Sequence, residues 1–230
     1  MATINIYRNK LKAASRFMAV QDIRYYLNGL LIESNPMQSR IIATDGHTMF
    51  CGRDDAKGDN VGTFTGIIGS DTVKTILAWK APYKSANDTP VVITTPDDTA
   101  GEHRAEWCGN ICVFRLVDGK YPDYQRVVPT DVNGAPAFYQ PEYLVRCSKA
   151  AIDMNANKLG HFDFKQGGDG SGIAVFSSEA FAVIMPIRNT VADPALIAWA
   201  REPVAEPVAE PVAEPVAEPV AEPTPDAVAA

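Results

Sequence analysis

Long apolar runs are what this sequence most plainly lacks. No stretch approaches the roughly 20 apolar residues that cross a bilayer, and the first residues, MATINIYRNK, hold no apolar run of the secretory kind. No membrane partner and a cytoplasmic location are therefore expected. Histidine is scarce, at three residues, and cysteine at four: Cys51, Cys108, Cys112 and Cys147. Cys108 and Cys112 have no second pair, so zinc-site spacing is missing and the cysteines are expected to be thiols packed as small hydrophobes. A Gly-rich phosphate loop and a nucleophile motif are missing too. Asp45 and His47 in TDGHT, with Asp123, are the one set that could suggest acid–base or metal chemistry. The other histidines, His103 and His161, fall in different predicted strands, so the expectation is a protein that is not an enzyme and needs no metal or cofactor.

Positive charge in excess is also missing, because the chain carries a formal net charge of −7. That acidity is unevenly placed. From Arg201 onward lie six glutamates and one aspartate against one arginine, while the first 200 residues are nearly neutral. The tail repeats EPVA five times from Glu202 to Ala221. Residues 191–230 are expected to be a disordered acidic tail; a proline every fourth residue forbids a continuous helix, so the part from Arg201 onward is expected to form an extended, solvated arm, about 90 Å long at about 3.1 Å per residue.

What is present before the tail repeats itself. Residues 4–19 suit a helix, with Tyr7, Leu11, Ala14 and Met18 on one face. YYLNGLLIES and RIIATDGHTMFCG read as two strands joined by a turn at Asn35 and Pro36. TFTGIIGS reads as a strand, SDTVKTILAWK as a helix capped by Ser70, and PVVITT, HRAEWC and ICVFRLV as further strands. Pro141 suits a first helical turn, and EYLVRCSKAAIDM places Tyr143, Cys147, Ala150 and Met154 on one face. HFDFKQ, GIAVFSS and FAVIMPIR then read as strands, with GGDG as a turn. Helix-then-strands thus occurs three times, and the fold class is α+β, with helices packed on antiparallel sheets.

Between the second and third rounds lies DGKYPDYQRVVP, residues 118–129. Gly119 and Pro122 would break a helix and the run is too polar for a core strand, so it reads as a rigid, aromatic-bearing connector between two folded pieces. The helices are biased toward positive charge: Arg8, Lys12 and Arg16 on the first, Lys74, Lys80 and Lys84 on or after the second, Arg146 and Lys149 on the third. Such segregation can make a basic surface for a phosphate backbone without any base-reading motif.

QDIRYYLNGLLIES, RIIATDGHTMFCG and FRLVDGKYPDYQRVVP resemble the middle domain of the bacterial DNA polymerase III beta subunit, the sliding clamp family, and FAVIMPIR resembles the end of its last domain. The resemblance implies a sliding-clamp fold in which residues 1–129 form one domain and residues 130–190 the second half of another. It implies a DNA polymerase processivity factor that takes part in replication, contacts duplex DNA without sequence preference, and binds short peptides from DNA polymerase and clamp-loader subunits. The helix residues Arg8, Lys12, Arg16, Lys74, Lys80, Arg146 and Lys149 would be the ones facing DNA. Carried over position by position, the peptide groove would be lined by Leu27, Thr44, Gly46, His47 and Met49, by Pro122, Arg126 and Val127 of the connector, and by Val183, Ile184, Met185, Pro186, Ile187 and Arg188. Thr48 stands where the family usually has arginine, and Met49 where leucine is usual. The family's first domain and half of its last have no counterpart. A lone half-domain would leave sheet edges uncovered, so a homo-oligomer is expected, with the surface at 130–190 meeting itself. The alternative is a clamp-like module that engages or competes for clamp-binding proteins without encircling DNA.

Overall fold

A computed structural model describes residues 1–187 apart from positions 57, 84, 85, 87, 88, 97–100, 131, 133, 155–157 and 169. Arg188, Lys84 and the whole tail lie outside the described residues, so the expectations placed on them are not addressed below. Met1–Asn189 form one compact unit, and the second unit, Thr190–Ala230, lies wholly beyond the described part. The boundary expected at residue 129 falls inside the first unit.

The first two rounds share one plan, a strand, a helix and three strands. Round one is β1 (Ala2–Tyr7), α1 (Arg8–Ser15), β2 (Gly29–Asn35), β3 (Gln38–Thr44) and β4 (Thr48–Asp55). Round two is β5 (Phe64–Gly69), α2 (Ser70–Ala78), β6 (Pro90–Thr95), β7 (His103–Trp107) and β8 (Asn110–Phe114). Round three has α3 (Pro141–Asp153), β9 (Asp163–Lys165), β10 (Gly172–Ser177) and β11 (Ala180–Ile184), preceded only by a single bridge between Phe138 and Ile187. The two complete rounds exchange their first strands. β1 joins the sheet β1-β6-β7-β8, and β5 joins β5-β2-β3-β4-β11-β10-β9, in which β4 and β11 pair antiparallel.

Three readings of the sequence change. Residues 4–19 are a strand followed by a helix: Ile4 and Ile6 alternate inward at a period of two, and the chain turns helical at Arg8 with no side-chain cap. RIIATDGHTMFCG is two strands, because Asp45–Gly46 closes a hairpin, with Gly46 at φ +93°. The α2 N-cap is Gly69; Ser70 is already helical, and its N–H donates to the Asn28 carbonyl at 2.9 Å. Pro141, by contrast, opens α3 as read, and Tyr143, Cys147, Ala150 and Met154 are all buried.

All three helices and the inner faces of both sheets share one core, which includes Phe17, Phe50, Trp107, Ile4, Ile6, Ile32 and Ile41. β7 alternates buried and exposed residues, whereas β2 and β4 are buried almost continuously. The difference has a local cause. On the other side of the long sheet a second cluster joins Leu27, Leu31, Ile42, Met49, Ile67 and Val183 to Tyr121 and Tyr124, so the connector roofs this sheet with its two tyrosines. The tyrosines of YPDY therefore bury about as much apolar surface as a core residue while keeping their hydroxyls bonded. Cys51 and Cys147 are packed inside, and burial pushes their thiols up to about 11 and about 12 respectively. Cys108 and Cys112 differ from that expectation, being exposed and half-exposed.

Candidate functional site

The β3–β4 loop is built from its own polar side chains. Asp45 Oδ1 accepts the N–H groups of His47 (2.9 Å) and Thr48 (2.7 Å), and Thr44 Oγ1 accepts from Gly46 N–H (3.0 Å) while donating to the Thr48 carbonyl (2.7 Å). Two cations hold this loop from outside. Arg24, itself paired with Asp22, reaches the Asp45 carbonyl at 3.4 Å, and Arg146 of α3 donates to both Asp45 Oδ2 and Thr48 Oγ1, the latter at 2.8 Å. The His47 ring stacks near Tyr143, with centroids 6.4 Å apart. Burial would raise the Asp45 pKa, but hydrogen bonds from Arg146 and from the Thr48 and His47 N–H groups outweigh it and hold the carboxyl below its ordinary value. The Asp45 carboxylate is thus occupied in turn-making and in its pair with Arg146, while the His47 ring stacks near Tyr143.

β11 and the connector complete the site. Met185 N–H donates to the His47 carbonyl at 2.9 Å, which fixes the chain leaving β11 beside the loop. Tyr121 accepts the Thr44 N–H at its hydroxyl (3.1 Å), and its own pKa is pushed up by burial. Tyr124 donates to Glu33 Oε2 at 2.7 Å. Neither tyrosine is among the groove residues expected from the sequence, although both stand in the connector stretch that the sequence marks as unusual.

The expected groove residues fall into three groups. Leu27, Met49 and Val183 are brought together, but they are buried beneath the connector in the second cluster, with Val127 packed against its margin. Thr44, Met185 and Pro186 are half-buried, and Gly46, His47, Pro122, Arg126 and Ile187 are exposed around them. Ile184 points the other way, into the helix-side core. Pro122 and Arg126 also border an open cleft of about 1300 Å3 between the connector and the β2–β5 edge, whose other walls include Tyr26, Glu33 and Thr65.

The helix cations are divided as well. Arg8 is taken up by the fold: its guanidinium donates to the Trp79 carbonyl at 2.9 Å and to that of Leu77, and lies 4.9 Å from the Trp107 ring centroid. Arg146 is committed to Asp45 and Thr48. Lys12 and Arg16 share the carboxylate of Asp153 on α3, although Lys12 remains half exposed. Lys74 makes a loose contact with Asp71 at 3.4 Å, and Lys74, Lys80 and Lys149 are exposed. The sequence offered no sign of Lys10, a buried cation that bridges Asp54 and Glu179 and so ties α1 to the ends of β4 and the β10–β11 turn.

Comparison with known proteins places this arrangement. No family model matches the chain. The chain is 34% identical over 128 residues to the beta sliding clamp of Pseudomonas aeruginosa, covering 53% of this chain and 31% of that protein. To the beta sliding clamp of Vibrio cholerae it is 36% identical over 138 residues, covering 60% and 36%. It thus spans about a third of the length of the curated relatives it matches. Among solved structures, a sliding clamp from Pseudomonas aeruginosa aligns with a TM-score of 0.57 at 21% identity, covering 81% of this chain and 66% of that one. The Helicobacter pylori beta clamp bound to DNA ligase peptide aligns with a TM-score of 0.60 at 12% identity, covering 82% and 66%. The fold is therefore the sliding-clamp fold, α+β with antiparallel sheets, and the sequence is similar to a shortened beta clamp. Among the described residues no helix is long and apolar enough to cross a membrane.

Proposed function

We propose that this chain is a clamp-like receptor for short peptides of replication proteins, polymerase and clamp-loader subunits among them, and that it acts in the cytoplasm as a homo-oligomeric processivity factor. In this reading residues 1–129 are one complete clamp domain and residues 130–190 half of another. The observation that carries it is the convergence of three distant segments, the 44–49 loop and strand, the connector at 121–127 and the strand end at 183–187, around the bond from Met185 N–H to the His47 carbonyl. A peptide side chain would rest on Met185, Pro186 and Val127, beside a loop whose backbone is already fixed, so little ordering opposes binding. Met185→Asp places a carboxylate on that apolar surface and is expected to weaken a labelled Gln-, Leu- and Phe-bearing peptide by at least about 2 kcal/mol, roughly thirtyfold. Fluorescence titration reads this directly; equal affinity for parent and variant would remove the site from these residues.

Duplex DNA binding is the second part of the reading, and it rests on the cations that the fold leaves exposed. Replacing Lys12, Lys80 and Lys149 together by glutamine is expected to lower the slope of log K against log salt by up to about 2.7, at about 0.9 for each phosphate no longer neutralised. An unchanged slope would make them ordinary solvated lysines. The alternative, a module that engages clamp-binding proteins without encircling DNA, is favoured by the commitment of Arg8 and Arg146 to intramolecular partners. Retention on closed circular DNA, with release on linearisation, separates the two.

A further inference from the structure

The two sheets present four outermost strands, and three of them are blunted. Thr3 of β1 exchanges two hydrogen bonds with Val61, both 2.9 Å. Ile67 of β5 accepts from Val117 N–H, just before the connector, at 2.9 Å. β9 is three residues long and carries Asp163 and Lys165. Among the described residues, strand β8 has none of these protections. It holds no charge or proline from Asn110 to Phe114, and its outer face shows Ile111 and Val113 at 52% and 56% exposure. Uncharged, apolar edges of this kind pair with another strand.

We propose that β8 is a self-docking edge, and that two copies of this chain join β8 to β8, antiparallel, about a two-fold axis at Cys112. This deepens the self-association proposed above and rests on it, while moving the contact from residues 130–190 to the opposite sheet. The molecule supplies its own template. β4, the last strand of round one, pairs antiparallel with β11, the last strand of round three, and so joins two sheets into one. β8 is the last strand of round two and, among the described residues, ends its sheet without such a partner.

The register follows from the hairpin. Cys108 and Gly109 both have positive φ, +47° and +81°, which makes a two-residue turn closed by Trp107 and Asn110. Trp107 pairs with Asn110, Ala105 with Cys112 and His103 with Phe114, so alternation turns the N–H and C=O groups of Ile111 and Val113 toward the open edge. A two-fold axis at Cys112 sets Ile111 of each copy opposite Val113 of the other. That pairing uses all of those groups in four hydrogen bonds and makes two apolar cross-strand pairs. Asn110 meets Phe114, so no like charges face each other. The two Cys112 residues become a non-hydrogen-bonded pair, the closer kind, with Cβ atoms near disulfide distance.

The test uses the full chain. Sedimentation equilibrium at tens of micromolar is expected to give an even-numbered assembly for the parent and half that mass for Val113→Lys, a change at an exposed side chain. In a Cys108→Ser background, diamide is expected to couple the two Cys112 thiols into a disulfide-linked dimer, their two hydrogens passing to the diamide, and Cys112→Ser to abolish it. A monomeric parent, an assembly unchanged by Val113→Lys, or no Cys112-dependent dimer would each overturn the proposal. Peptide affinity is expected to be the same in Val113→Lys as in the parent, so failure at β8 and failure of the groove reading are told apart.

Discussion

Phe50→Ala is expected to destabilise the folded unit by about 3 to 5 kcal/mol, a large part of the roughly 5 to 15 kcal/mol that holds a domain of this size together. Phe50 is fully buried on β4, with ring centroids 5.6 Å from Phe17, just beyond α1, and 6.0 Å from Phe176 on β10. Its ring therefore touches material from the first and third rounds at once. Its strand neighbours, Ala43 on β3 and Ala182 on β11, are too small to close a cavity of that size. Urea unfolding followed by circular dichroism should show the midpoint falling by about 1 to 2 M. A midpoint within about 0.3 M of the parent would mean that the three rounds do not share this core.

The second large effect is expected at Arg146. Its pair with Asp45 is mostly shielded, with side-chain exposures of 19% and 18%, and through it α3 is linked to the β3–β4 loop. Arg146→Met keeps the stem and removes the charge, leaving Asp45 without its partner in partly dry surroundings. A loss of about 2 to 3 kcal/mol follows, less than for a fully buried pair because water still reaches this one. Peptide affinity should fall with it, since His47 and Met185 depend on the same loop. Acid should reproduce part of the effect. The Asp45 carboxyl sits below its ordinary value of 3.8 in the folded chain, and so does Asp153, where hydrogen bonds from Arg16 and Lys12 outweigh the burial that would raise it. Both therefore contribute stability that is present above pH 3.8 and lost as pH falls through the lower folded values. The two pairs hold α3 near its middle, at Arg146, and at its last residue, Asp153, so round three should loosen first in acid. Arg146→Met should also show a shallower loss of stability below pH 4 than the parent, since the part of the Asp45 contribution that Arg146 supplies is already absent. Identical acid profiles would contradict this role.

The sequence carried the parts of this fold whose signals are local. Pro141 at the first turn of α3 and the spacing of Tyr143, Cys147, Ala150 and Met154 mark a helix by themselves. The β6–β8 strands alternate at a period of two because only one of their faces is covered. Where two periodicities overlap, the reading fails: Ile4 alternates with Ile6 as in a strand but also lies in helical phase with Tyr7 and Leu11, and no breaker separates β1 from α1. In TDGHT the turn signal is a single Asp–Gly between two apolar runs, which is easily taken for the interior of one long strand. Charged side chains are the least legible of all. Arg8, Lys10 and Arg146 look solvent-facing along the chain, yet each meets a partner at least 43 residues away that only tertiary structure supplies. The groove is legible in a similar way. Its segments are marked by unusual composition and by resemblance, but the burial of Leu27, Met49 and Val183 under Tyr121 and Tyr124, and the inward turn of Ile184, arise from how the connector crosses the sheet.

Backbone hydrogen–deuterium exchange on the full chain, with and without a saturating Gln-, Leu- and Phe-bearing peptide, tests the peptide-receptor reading most directly. Slowed exchange is expected in three segments, Thr44–Met49, Tyr121–Val127 and Val183–Ile187, with Asn110–Phe114 unchanged. A micromolar Kd corresponds to about −8 kcal/mol, so peptide at hundreds of micromolar, about a hundredfold above it, would fill the site. Slowing that spares those three segments, or no slowing at that concentration, would contradict the reading.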